Sequence, residues 1–426
     1  MLDIRFILEN VELVKRNTQE RYANADIDKV VRMYERLKAA RMQLSDWQRR
    51  SNEIAAQFRN ASAEQQASLR QEAAEVKQEI SDAKEHVVAV ETAYMSEMLK
   101  VPNMAADEVP QGKDEAGNIP IRFFGRPPVF GFKPLDHLEL GKRLNLVDFE
   151  AGTKVAGPKF FFLKNAAVIL ELALVRYALD HAIKHGFTVM TTPELARDDI
   201  IAASGFVPRG PESQIYSLSE GGLSLIGTSE ITIGGYLANT ILQEEELPLK
   251  LSAVSHCFRT EAGSAGRESR GLYRVHQFTK VEMYQFALPG KSRDAHEELL
   301  AIEEEFYQAL GLPYRVLLMC KGDLGTPAHK KYDIEAWMPG LGDAGGYGEV
   351  TSASNCTDFQ ARRLNVRYRD KVTNKTEFVH TLNGTAVAVT RTMLAIMENY
   401  QQADGSILIP EVLQPYVGYS KIETRP

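Results

Sequence analysis

At 426 residues the chain exceeds what one hydrophobic core usually holds, so two domains are expected. Hydrophobic residues at 44% and charged residues at 25% are those of an ordinary soluble protein. A formal net charge of −7 excludes nucleic-acid binding through the global field and leaves only a local basic face for it.

Residues 1–25 carry a short apolar segment, from Leu2 to Val14, that reads as one small helix. From Asp26 to about Met95 there is neither proline nor glycine, and Asp26 is placed to cap a helix N-terminus. Ile27, Val30, Tyr34, Leu37, Leu44, Ala55 and Phe58 mark one apolar seam. Leu69, Ala73, Val76, Ile80, Ala83, Val87, Val90 and Tyr94 mark a second with steps of four and three. The polar break from Arg59 to Gln66 turns these into an antiparallel helical hairpin, each arm reaching about 50 Å at 1.5 Å per residue. Its first helix is basic (Lys29, Arg32, Arg36, Lys38, Arg41, Arg49, Arg50, Arg59) and its second acidic. Two readings stand side by side. One is cross-helix salt bridging; the other is a basic stripe of Lys29, Arg32 and Arg36 on one face, suited to a nucleic-acid backbone.

Residues 101–120, rich in proline, glycine and acids, read as a linker, with an irregular entry up to about residue 128. From Val129 onward helices and strands alternate. AAVILELALVRYALDHAIKHG is a helix stopped at Gly186, followed by the strand FTVMTTPEL ending at Pro193. LSLIGTSEITIGGYLAN passes from strand to helix near Thr228. LKLSAVSHCF and TKVEMYQFAL are alternating strands around a loop bearing Gly263, Gly266, Gly271, Arg259, Arg267, Arg270 and Arg274. Glycines let the backbone come close to a polyphosphate, and guanidinium forks match phosphate oxygens; the alternative is a solvated basic hairpin tip. Glu261, Gln277 and Glu282 favour a site that also holds an amine, a hydroxyl or a metal. Further strands YRVLLMC, KYDIEAWMP and GEVTSASNC, joined by short turns, argue for a largely antiparallel sheet flanked by helices.

Neither GxxxxGK[ST] nor a GxGxxG after a first strand is present. Cys257, Cys320 and Cys356 are far apart, with no CxxC spacing, which supports neither a disulfide framework nor a zinc knuckle and fits a reducing compartment. The N-terminus lacks the apolar core of a signal peptide and no run is long enough to span a bilayer, so the cytoplasm is the expected location.

The pattern FRxEAGxxGxxxxGLxRxHQFxKVE over residues 258–282, with HGFTVMTTPEL before it, EVTSASNCTDFQARR and NGTAVAVTRTMLAIMENYQ after it, and the helical hairpin, resembles the bacterial-type seryl-tRNA synthetases of class II along nearly the whole chain. The resemblance implies an α+β fold: an antiparallel-sheet catalytic domain over 129–426, a linker over 101–128, and an N-terminal coiled-coil arm over 1–100 that binds tRNA through Lys29, Arg32 and Arg36. It implies activation of L-serine by ATP and transfer to tRNA(Ser), and to tRNA(Sec) in hosts that have it, by a homodimer with Pro193 near the subunit contact.

Site roles follow from the same resemblance. Arg259 would bridge the serine carboxylate and the α-phosphate. Thr260 and Glu261 belong to the ATP site, with Glu261 on the adenine. Phe278 would stack on adenine, with Arg391 on the other side and near the γ-phosphate. Glu349 and Ser352 would hold Mg²⁺, a hard ion that takes oxygen ligands, with Val350 and Thr351 between them. Thr228, Ser229 and Glu230 would receive the serine amino group, and Glu282 and Thr385 its hydroxyl. No zinc is implied. His256, His276 and His380 need no catalytic role, because such a reaction relies on positioning and charge stabilisation. Two positions depart from the family pattern, Ala386 and Thr390, where glycines are usual, and Thr385 stands where serine is common. Two rivals remain: a paralogue that loads serine onto a non-tRNA acceptor, and a non-catalytic binding protein.

Overall fold

The computed structural model describes residues 1–206, 214–261 and 271–423. These fall into two units, Met1–Pro102 and Asn103–Pro426. Gly263, Gly266, Arg267 and Arg270 of the arginine-rich loop lie outside the described residues.

In the first unit the opening apolar segment forms two helices where one was expected, α1 (Ile4–Glu9) and α2 (Val11–Glu20). Asn10 separates them. Its side-chain amide donates to the Phe6 carbonyl at 3.0 Å, competing with the helical backbone ladder. The long hairpin follows as α3 (Ile27–Phe58) and α4 (Ala63–Met98). Asp26 caps α3, its carboxylate accepting from the Lys29 amide at 2.9 Å. Ser62 and Gln65 cap α4 reciprocally, so the sharp reversal at 59–62 leaves few orphan donors.

The buried stripe between the two helices contains Val30, Leu37, Ala40 and Ile54 from α3 and Val76, Ala83 and Tyr94 from α4. Ala55 and Ala73, expected in the seams, are exposed. After the polar interruption at Gln48 and Ser51 the first helix settles with Ile54 inward, because isoleucine removes more apolar area from water than its alanine neighbour. Part of the charge asymmetry resolves into cross-helix ion pairs: Lys29–Glu97 at 2.6 Å, Arg41–Glu91 at 2.7 Å, and Arg50–Glu72. Lys29 is therefore engaged with the second helix. Arg32 and Arg36 stay exposed, and Arg32 reaches only Asp26, at 3.8 Å.

The second unit is built on an eight-stranded sheet: β1 (Ile119–Phe124), β2 (Thr188–Thr191), β3 (Leu249–Phe258), β4 (Gln277–Ala287), β5 (Tyr314–Leu318), β6 (Lys330–Met338), β7 (Gly346–Asn355) and β8 (His380–Ala388). Their spatial order is β1-β5-β6-β7-β8-β4-β3-β2, and every neighbouring pair is antiparallel except β2 with β3. The stretch 101–128, expected to be a linker, is structured. Its alternating IPIRFF pairs with the otherwise open edge of β5, and Asn103 donates to the carbonyls of Pro327 and Cys356, each at 2.9 Å. An edge strand with unmet donors and acceptors is a ready partner for such a segment.

Helices α5 (Ala166–Lys184), α7 (Ser292–Ala309) and α9 (Val389–Asn399) contribute to the main core, against Val281 and Met283 of β4. The short α6 (Glu230–Tyr236) and α8 (Phe359–Leu364) contribute to a second core with Tyr284 and Phe286. The period-two alternation of β4 thus sends Val281 and Met283 into one core, while Phe278, Lys280 and Glu282 share the other face. The three cysteines are buried and free. Among the described residues no helix is long and apolar enough to cross a membrane.

Replacing Leu37 with alanine should destabilise the hairpin by about 2–4 kcal/mol. Met42→Ala, at a side chain 66% exposed, should cost under about 0.5 kcal/mol. Hydrogen exchange of α3 and α4 amides in the full chain would separate the two.

Candidate active site

Strands β3, β4, β7 and β8 bring distant parts of the sequence to one cavity of roughly 200 Å³. Its walls include Arg259, Glu261, Phe278, Glu349, Val350, Thr351, Ser352, Thr385 and Arg391, all singled out from the sequence. Two register slips shape it. Between β6 and β7, Ile334 faces Thr351 but Glu335 faces Glu349, leaving Val350 as an extra residue. Between β8 and β4, Thr385 faces Glu282 but Val387 faces Val281, leaving Ala386 extra. Such bulges bend a strand and re-aim its side chains.

The cationic side of the cavity is held in place from behind. Arg391, at the start of α9, donates to the Glu349 carboxylate at 2.9 Å, to the Glu349 carbonyl at 3.1 Å and to the Tyr273 carbonyl at 3.2 Å. Its guanidinium lies 4.7 Å from the Tyr273 ring centroid. Arg259 donates to the Gly227 carbonyl at 3.1 Å and lies 5.3 Å from the Phe278 ring centroid. Phe278 is thus covered by Arg259, and Arg391 covers Tyr273. Arg274 reaches Glu261 at 3.2 Å. Burial opposes charge on Glu349, but the Arg391 guanidinium and then the Lys331 ammonium outweigh it and hold this carboxyl below the usual carboxylate range.

A buried polar cluster adjoins this side. Lys280 is buried, ion-paired to Glu282, and donates to the Thr228 hydroxyl at 2.8 Å. Thr385 donates to Glu282 at 3.4 Å, and the Thr351 hydroxyl donates to the Thr385 carbonyl. Glu230 accepts from Gln360 at 2.6 Å and from Asn383 at 3.1 Å. Burial, reinforced by the nearby Glu282 carboxylate, pushes the Glu230 carboxyl up to about 7. Beneath Gly384, Glu303 is fully buried, and burial pushes its carboxyl well above the ordinary range.

Two expected residues sit apart from the cavity wall. Ser229 is buried and directs its hydroxyl to the Ala253 carbonyl of β3 at 3.5 Å, because it stands at the N-terminus of α6 facing the sheet. The Thr260 amide donates to the Gln214 carbonyl at 3.1 Å. Conversely, sequence reasoning passed over Lys280, Lys331, Tyr273, Gln360 and Asn383. For Lys280 a signal existed: a lysine two residues from both Phe278 and Glu282, hence on their strand face. The three histidines singled out above each have an identifiable environment. His256 meets Glu194, His276 donates to the Arg259 carbonyl at 2.9 Å, and burial holds His380 down at about 4.

The model of the seryl-tRNA synthetase N-terminal domain matches residues 1–105, and that of the tRNA synthetase class II core domain (G, H, P, S and T) matches 217–400. The serine–tRNA ligase of Rubrobacter xylanophilus is 51% identical over 419 residues, covering 98% of each chain. The chain belongs to the seryl-tRNA synthetase family. The serine–tRNA ligase of Treponema denticola is 50% identical over 423 residues, 99% of this chain and 100% of that one. The crystal structure of seryl-tRNA synthetase from Pyrococcus horikoshii complexed with ATP superimposes with a TM-score of 0.88 at 38% identity, covering 100% of both chains. Family membership agrees with the antiparallel sheet, the helical arm and the missing phosphate loop.

The buried cluster sets two carboxyl groups against one ammonium. Lys280→Met should therefore cost about 3 kcal/mol of stability, since it leaves the buried Glu282 carboxylate without the ammonium it pairs with. Chemical denaturation of wild type and variant measures this, and the loss should shrink in Lys280→Met/Glu282→Gln.

Proposed function

We propose that the chain joins L-serine to tRNA in two steps within this cavity. The serine carboxylate oxygen attacks the α-phosphorus of ATP, forming the mixed anhydride as the bond to pyrophosphate breaks. A ribose hydroxyl at the end of tRNA(Ser) then attacks the adenylate carbonyl, forming the ester as AMP leaves and the hydroxyl proton is lost. The observation that carries this reading is the junction of a guanidinium-lined cavity with a buried cluster of Glu230, Glu282 and Thr385, in a chain half identical to serine–tRNA ligases.

Each part has a physical task. Arg391 is already oriented by the Tyr273 and Glu349 carbonyls, so it meets developing negative charge with little reorganisation, while Arg259, anchored at the Gly227 carbonyl, turns from the Phe278 ring to do so. Arg259 can reach both the serine carboxylate and the α-phosphate, and Phe278 offers an aromatic face to adenine once Arg259 engages the phosphate. The Glu261 carboxylate can accept from an exocyclic amine. Glu230 and Thr228 face the substrate ammonium. Glu282 and Thr385 meet the hydroxyl, and an amino acid without one would leave them unpaired. Glu349 and Ser352 offer an ionised carboxylate and a hydroxyl on the same wall, a hard oxygen set that fits Mg²⁺. When bound there, Mg²⁺ would neutralise phosphate charge.

The partners follow the same reading. Arg32 and Arg36 give the arm an exposed basic face for the tRNA backbone, with Lys29 available only when it leaves Glu97. Val168, Ile169, Leu172 and Ile183 of α5 are exposed apolar side chains that support a homodimer. We place the enzyme in the cytoplasm, where tRNA is charged, and include tRNA(Sec) as a second acceptor where the host makes it. The intact arm disfavours an enzyme that loads a non-tRNA acceptor.

Arg259→Ala should abolish serine-dependent exchange of pyrophosphate into ATP. Arg32→Ala/Arg36→Ala should leave exchange unchanged and weaken tRNA charging, most strongly at low salt, with a flatter salt dependence than wild type. Equal loss of both activities in the arm variant would contradict the division of labour.

The pH dependence has a definite sign. Below pH 7 the Glu230 carboxyl takes up a proton and no longer offers a charge to the substrate ammonium. Serine KM should rise as pH falls from about 8 to 6, and Glu230→Gln should start from a higher KM with a flatter slope. The groups facing Glu230, namely Glu282, Lys280 and Arg259, are unchanged in that variant.

A further inference from the structure

Away from the nucleotide cavity, two helices of the main core bring three ligand-type side chains to one point. His181 and His185 are four residues apart at the C-terminal end of α5, so both rings leave the same helix face. Glu305 faces them from α7. One donor atom of each lies within 4.8 Å of the other two. His185 Nε2 and Glu305 Oε2 are 3.0 Å apart. That is close to the edge of a tetrahedron around zinc with bonds near 2.1 Å, about 3.4 Å. The two imidazole rings meet edge to face with centroids 4.8 Å apart.

The buried member of the set is fixed from behind. His181 Nε2 lies 3.0 Å from the Ile302 carbonyl. A carbonyl only accepts, so this nitrogen carries the proton and Nδ1 keeps the lone pair. A histidine whose far nitrogen donates to a backbone carbonyl is the arrangement in which metal-bound imidazoles are held. His185 is half-buried and Glu305 exposed, so the cluster opens to solvent on one side and leaves a coordination position for water.

We propose that His181, His185 and Glu305 form a site for a divalent transition ion of the zinc, cobalt and nickel class. Two imidazoles and one carboxylate suit these ions and do not suit Mg²⁺, which separates this site from the oxygen set of the cavity. The carbonyl end of α5 adds a field favourable to a cation. The competing charges are identifiable. Lys184 Nζ lies 3.8 Å from Glu305 on a side chain 72% exposed, free to swing away. Lys250 approaches the His185 carbonyl at 3.5 Å and pairs with Glu298 at 2.7 Å. A bound ion would tie α5 to α7 by bonds that the apolar contacts between them do not provide.

The test uses the full-length protein stripped with a chelator and titrated with Zn²⁺ by calorimetry. Co²⁺ serves as a spectroscopic probe and Mg²⁺ as the control. The expected result is one Zn²⁺ per chain, a raised melting temperature, a low-coordinate Co²⁺ absorption, and no competition from Mg²⁺. His185→Ala and Glu305→Gln should each weaken zinc at least about tenfold while ATP–pyrophosphate exchange stays as in wild type. Both side chains reach the surface, so neither change empties the core. Wild type that takes up no zinc overturns the proposal, as does zinc binding that both variants retain unchanged.

Discussion

The site depends on keeping an unequal set of charges dry. Glu230, Glu282 and Lys280 are all buried at the junction of β4, β8 and α6, and the Thr228 hydroxyl is the second partner of the lysine. Two acids against one ammonium cannot all be ionised cheaply in a low dielectric. The structure answers by raising Glu230 to about 7 and giving it two amide donors, Gln360 and Asn383, which serve its carboxylate without adding charge. On the proposed reading, a substrate ammonium supplies the positive charge this set lacks, so substrate binding and the ionisation of Glu230 are coupled.

The cationic side works in the opposite sense. Arg391 and Lys331 together outweigh the burial of Glu349, so this carboxyl stays ionised. It ties Arg391 to β7 while Tyr273 ties the same side chain to the stretch that leads into β4. One guanidinium therefore joins three chain segments separated by up to 118 residues. His276 does similar work for Arg259. Its ring donates to the Arg259 carbonyl, and the two backbones are joined by the Arg259 amide and the His276 carbonyl at 3.0 Å.

Much of this was legible in the sequence because strands and helices announce themselves by period. LKLSAVSHCF is the strand β3 residue for residue, and the proline-free, glycine-free stretch is the hairpin α3–α4. What could not be read was set by tertiary pairing. IPIRFF looked like part of a linker because its strand partner, β5, lies almost 200 residues later. The exchange of Ala55 for Ile54 follows from a phase shift that no seven-residue repeat encodes once polar residues interrupt it. Ser229 stands between two residues of the buried cluster, yet the turn into α6 sends its hydroxyl to β3. Gln360 and Asn383 reach Glu230 from 130 and 153 residues away, and no local pattern marks them. The cysteine count spoke only to sulfur ligands. A histidine pair on one helix and a glutamate on another carry no spacing signal beyond the i,i+4 step of His181 and His185.

Ala386 and Thr390, the two positions where the resemblance led us to expect glycine, can be judged by their backbone. Ala386 is the extra residue of the β8 bulge, but its φ is not positive, so a methyl group there meets no conformational penalty of the kind glycine relieves. The side chain is buried in the main core, so the added carbon gains contacts. Thr390 lies in the first turn of α9, buried and on the cavity wall beside Arg391. There the absence of a Cβ is not required for helix geometry, and a β-branched residue restricts the turn that carries the arginine. Thr390 thus adds bulk on the cavity wall and Ala386 in the main core, with a positive φ at neither.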